Sequence, residues 1–186
     1  MKNLLGKLLL AGTIALAAGA VPHVRAAQPA AAPGDALYVT IGTDDPLAFD
    51  RFRYGRDAGK VNQDLIVPTL RNQAPVMAAA ARWTTPIVVL NENTSPPAGE
   101  PVLRLTWSDG NAKVFAEYLP TSSSHAHFLG VVSRDSLSYH PTPNEALNRV
   151  LSATSEEARH DEAVRANTEM ELYLALQLVE EHLGHK

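Results

Sequence analysis

VLRLTWSDGNAKVFAEYL, residues 102–119, is the stretch on which the reading of the fold turns. Leu103, Leu105 and Trp107 fall on one side of an extended backbone and Arg104 and Thr106 on the other, because successive strand side chains point to opposite faces. Ser108, Asp109, Gly110 and Asn111 supply a tight polar turn, after which alternation resumes from Ala112 to Leu119. Two alternating runs joined in this way predict a β-hairpin with one buried face. Such a face needs a second layer, and the rest of the chain must provide it.

More strands are predicted on either side. Residues 36–41 (ALYVTI) are rich in β-branched and aromatic side chains and stop at Gly42; residues 87–90 (IVVL) form an apolar run too short for a helix. Residues 128–133 follow the PTSSS stretch at 120–124 as a further strand. Between residues 58 and 83 there are helical stretches. Pro68 and Pro75 each remove an amide donor and crowd the preceding turn, so the expectation is a broken segment whose better helix starts at Pro75.

The covering layer is expected at the C-terminus. Thr142, Pro143 and Glu145 combine an N-cap hydroxyl, a proline at the first helical position and an acid able to reach back to the cap amide. Thr154, Ser155 and Glu157 repeat the pattern. Val164, Thr168, Leu172, Ala175, Val179 and Leu183 then recur at spacings of three and four, and Gly184 is placed to end the helix. Residues 143–183 hold nine acids and three arginines, so the polar side of these helices is expected to face solvent. The fold class is therefore α+β: two layers, with a mainly antiparallel sheet covered by C-terminal amphipathic helices. One domain is expected over residues 36–186.

The N-terminus reads as an address. Lys2 and Lys7 precede an apolar run from Leu8 to Ala20, and Val24 and Ala26 place small residues around a cleavage site after Ala26. The run is shorter than the roughly 20 residues a spanning helix needs, and Pro22 and His23 follow it. Residues 1–26 are thus expected to be a signal peptide, and residues 27–35 (AQPAAAPGD) a flexible leader. Together these features predict a soluble protein of the periplasm or extracellular space, with no transmembrane segment in the mature chain. The Ala and Pro content of the leader suits a bacterial host.

Composition excludes several functions. The chain has 186 residues and no cysteine, which removes disulfide scaffolds, thiolate metal sites and cysteine nucleophiles. Past residue 26 there are 13 Lys and Arg against 20 Asp and Glu, the opposite of the balance that neutralising a phosphate backbone requires, so no nucleic-acid partner is expected.

Motifs with chemistry are few. His125 and His127, at i and i+2, share a strand face, and His140 could supply a third imidazole to a metal ion; against this, the pair has no accompanying carboxylate and follows an exposed serine run. Incidental histidines are the favoured reading, and His182 and His185 are accounted for as donors to the last carbonyls of a helix. Arg51, Arg53, Tyr54 and Arg56 lie close together and could hold an anionic sugar, headgroup or carboxylate, although Asp44, Asp45, Asp50 and Asp57 largely cancel their charge.

The run Gly55 to Lys60 is one residue too short for a phosphate loop, and Val61 stands where Ser or Thr would hold magnesium. No serine sits in a nucleophile elbow or an S-x-x-K pattern, and the cofactor, if any, is left unknown. The sequence thus favours an exported, non-enzymatic binding or accessory protein of the bacterial envelope, with a protein or small anion as ligand and self-association through the last helix as a further option. The alternative is a secreted metal-dependent or hydrolytic enzyme using the three central histidines.

Overall fold

A computed structural model describes residues 36–43, 58–91, 93–108, 113–132 and 137–184. All of them belong to one compact unit, Ala31–Lys186. The expected signal peptide and leader, the turn at 109–112, and Arg51, Arg53, Tyr54 and Arg56 lie outside the described residues.

Five strands form one sheet in the order β2-β1-β3-β4-β5, with β1 at Leu37–Thr43, β2 at Ile87–Val89, β3 at Val102–Ser108, β4 at Lys113–Leu119 and β5 at His127–Val131. The hairpin is as the alternation implies: Val102 pairs with Leu119, Leu103 with Tyr118 and Trp107 with Val114. β5 continues it antiparallel, with a register irregularity opposite Ala116 and Glu117. β1 runs parallel to both of its neighbours, β2 and β3, so the sheet is mixed and its antiparallel part is β3-β4-β5.

One face of this sheet carries the core. Val39, Leu103, Leu105, Val114 and Ala116 are completely or almost completely buried against helical residues, among them Leu70, Met77, Leu172 and Leu176. Full burial of each large aliphatic side chain contributes about 1.5–3 kcal/mol. The opposite face mixes polar and apolar side chains: Arg104 and Glu117 are paired at 3.4 Å across β3 and β4, and the rings of Phe115 and Phe128 lie 6.1 Å apart across β4 and β5. A small second cluster of Ala36, Tyr38, Val102 and Leu119 is buried there. The architecture is α+β with helices covering the sheet, in agreement with the sequence reading.

The segment between β1 and β2 departs from expectation. It is helical throughout residues 58–81, as α1 (Ala58–Val61), a π-helical turn (Asn62–Ile66) and α2 (Val67–Ala81). The π turn explains how Pro68 is tolerated: Val67 N–H reaches back to the Asn62 carbonyl, which shifts the hydrogen-bond ladder by one residue just before the proline. Pro75 does not start a helix but sits inside α2 on its exposed side, where water can take the carbonyl that loses its partner. α2 ends on Arg82, a non-glycine residue in the left-handed region (φ 61°), with Trp83 N–H bonded to the Ala78 carbonyl in a Schellman closure.

At the C-terminus a short 3-10 turn (Leu137–Tyr139) precedes α3 (Pro143–Ser152) and α4 (Glu156–Leu183). Ser155 caps α4 by accepting the Ala158 N–H at 3.0 Å, and Gly184 (φ 75°) ends it. Thr142 sits at the N-cap of α3, yet its side chain makes no capping bond. The stripe Val164, Thr168, Leu172, Ala175 and Val179 is buried within the fold, while Leu183 is 40% exposed. An interface between copies would therefore have to use other residues of this helix. The expectation that the polar side of these helices faces solvent does not extend to two acids of α4: Glu169 and Glu171 are buried at 3% and 4% exposure.

Candidate functional site

The most organised polar cluster joins the 3-10 turn, α3 and α4. His140 follows the turn and is 4% exposed. Its Nδ1 accepts the backbone N–H of Thr142 at 3.0 Å, which places the ring proton on Nε2, and Nε2 donates to Glu169 Oε2 at 2.9 Å. The same oxygen accepts a 2.6 Å hydrogen bond from Arg149 on α3. Helix capping at Thr142 is thus replaced by a bond that fixes an imidazole, and Pro143, which has no amide proton, starts the helix beside it.

Arg149 has a second role. Its hydrogen bond to Glu169, more than any other influence, raises the guanidinium pKa above its ordinary value. Its Nε is 3.8 Å from Glu162, and the Nε of Arg165 is 3.7 Å from the other oxygen of that carboxylate. Both distances are too long for hydrogen bonds. Among the described residues Arg149 Nε has no hydrogen-bond partner although it is inaccessible to solvent.

Two clefts open at this point. The first, of about 470 Å³, is lined by Arg149, Arg165, Asp161 and Glu162 together with residues of the α3-α4 junction. The second, about 230 Å³, lies between the helices and is lined by Arg149, Arg165, Glu169, Asp64 and Asn72 among others. The two arginines are common to both. Each wall carries two cations and two acids, and Glu169 is already taken by its two donors. What remains is a pair of guanidinium groups held apart by one carboxylate that neither binds closely.

The sequence-derived candidates fare differently. His125 and His127 are exposed, His125 before β5 and His127 as its first residue, whereas His140 lies buried with both ring nitrogens engaged and does not join them. A ring whose nitrogens both hold partners has no lone pair to offer a metal or a substrate proton. Among the described residues no group of three or more His, Asp or Glu is arranged to hold a metal ion. The serines beside His125 serve the loops. Ser122 donates to the Pro97 carbonyl at 2.8 Å and accepts from Gly99, and Ser124 closes a turn on Thr121.

Arg149, Arg165 and Glu169 were absent from the sequence-level candidates because nothing local marks them; they read as ordinary members of a charged helical surface. Comparison with protein-family models, with curated proteins and with solved structures returns no match. Among the described residues no helix is long and apolar enough to cross a membrane.

Proposed function

We propose that this chain is an exported, non-enzymatic binding protein of the bacterial envelope, and that its ligand is a small anion received by Arg149 and Arg165. The observation that carries the reading is the unpartnered Nε of Arg149 at the wall shared by two clefts. A buried donor left without an acceptor costs about 1–3 kcal/mol, and an anionic oxygen placed there recovers that cost. Arg165 flanks it with a second planar donor group, the arrangement that suits carboxylate or phosphate. Glu162 is held too loosely to occupy both.

The buried bond to Glu169 gives this receptor a rigid wall. Arg149 keeps its NH2 group fixed on a carboxylate that His140 also holds, so its Nε, closed to water in this arrangement, meets an anion once the Glu162 carboxylate 3.8 Å away swings aside. Export rests on the first 26 residues, with their cationic start, apolar run and small residues before Ala27.

Calorimetric titration with inorganic phosphate and with succinate tests the binding. Saturable binding of either, weakened at least tenfold in Arg165→Ala, is the expected result; absence of binding, or equal binding by the variant, refutes the site. N-terminal sequencing of the protein recovered from its host tests export separately: a mature chain beginning at Ala27 supports it, and an intact Met1 in the cytoplasm refutes it.

A further inference from the structure

The opposite end of α4 places three rings together. Tyr118 on β4 and His127 on β5 are cross-strand partners, so their side chains share a face of the sheet. His182, in the last turn of α4, comes down between them. Its ring centroid lies 5.1 Å from that of His127, at 45°, and 5.8 Å from that of Tyr118. Neither the His127 ring nor the His182 ring makes a hydrogen bond to another described residue, in contrast to the ring of His140. Both are exposed. Two imidazoles thus approach each other with their nitrogens uncommitted.

We infer that His127 and His182 form a two-imidazole site for a divalent transition-metal ion of the zinc or copper kind, with water completing the coordination. The spacing fits. A metal bound at about 2.0–2.1 Å from each imidazole nitrogen in tetrahedral geometry sets the ring centroids roughly 5 Å apart. Imidazole suits zinc, copper and nickel, and a site with two protein ligands keeps open positions. The surroundings also favour a cation. The C-terminal end of α4, the negative end of the helix dipole, lies here, and Glu180 and Glu181 are on the same turn.

Such an ion would join the end of α4 to the first residue of the edge strand β5, two points far apart in the chain. It would be a site distinct from the arginine clefts, at the other end of the helix. His125 has no part in it, because it precedes the strand and makes no ring contact with either histidine among the described residues. This separates the proposal from the sequence-level H-x-H pairing.

Titration of the untagged chain with zinc chloride, followed by calorimetry at pH 7.5, tests the inference. One equivalent of zinc should bind, with affinity reduced at least tenfold in both His127→Ala and His182→Gln and changed less than about threefold in His125→Ala. Zinc should raise the midpoint of thermal unfolding of the wild type and of His125→Ala only, a readout that also shows whether each variant is folded. Full binding by His182→Gln, a loss in His125→Ala equal to that in His127→Ala, or no zinc uptake by the wild type would each overturn it.

Discussion

Glu171 gives the sharpest test of the packing around α4. The side chain is 4% exposed, and its Oε2 has no hydrogen-bond partner among the described residues. It lies seven residues before Leu178, nearly two full turns, so the two share a stripe of the helix. Leu178 comes within 3.4 Å of the position a Cβ on Gly130 would occupy, which directs that stripe toward β5. Burial pushes the Glu171 carboxyl from 4.5 up to about 8. Between those values the folded chain holds a proton that the unfolded chain releases, so stability must fall as pH rises. The proton's contribution is complete below about 4.5 and has been lost once the pH passes about 8. At about 1.4 kcal/mol per pH unit the interval amounts to roughly 5 kcal/mol, an upper limit because the helix can relax to admit water. Replacing the acid by its neutral isostere removes the dependence. In urea unfolding at fixed m-value, Glu171→Gln should match the wild type within about 1 kcal/mol at pH 5 and exceed it by about 2–5 kcal/mol at pH 8.5. Parallel pH profiles for the two proteins would refute the reasoning, since they would mean that the carboxyl has the same proton affinity in both states.

Three other perturbations follow from the same structure. Glu169→Ala strips the acceptor from the buried His140 Nε2–H and from Arg149, and it should cost about 2–4 kcal/mol in urea unfolding; the figure is set below that of a fully buried pair because Arg149 is 39% exposed and can turn to water. Arg82→Gly relieves a left-handed backbone at the end of α2 and should raise stability by about 0.5–1 kcal/mol, read as a rise of a few degrees in the thermal midpoint. Leu176→Ala leaves a cavity at a completely buried position between α4 and the rest of the core and should cost about 2–5 kcal/mol, with the far-ultraviolet circular dichroism of the native state retained.

What could be read in the sequence was what neighbouring residues determine among themselves. The hairpin of β3 and β4 follows from alternation and a polar turn, and the ends of α4 follow from Ser155 and Gly184, each acting on amides or carbonyls a few residues away. The prolines misled because their cost depends on context. Pro68 is accommodated by a π turn just before it, and Pro75 lies where solvent reaches the backbone. The parallel placement of β1 between β2 and β3 had no local marker either, because strands buried on one face look alike whichever direction their neighbours run.

The polar sites were less legible, and α4 shows why. Glu169 and Glu171 are the same residue two positions apart, in a stretch whose composition reads as a solvated acidic face. Two positions turn the helix by about 200°. One carboxylate thereby meets Arg149 and His140, contributed by α3 and the turn before it, and is doubly satisfied; the other faces away from both and keeps an oxygen without a partner. His182 is a similar case, since its place at a helix end accounts for it fully until β5 brings His127 to its ring. In each instance the residue type gives the chemistry available, but the partner comes from an element remote in the chain. A helix that carries a paired acid, an unpaired acid and an open imidazole on different sides therefore has its chemistry assigned by tertiary packing, and exchanging Glu169 for Gln should disturb a different set of neighbours from the same exchange at Glu171.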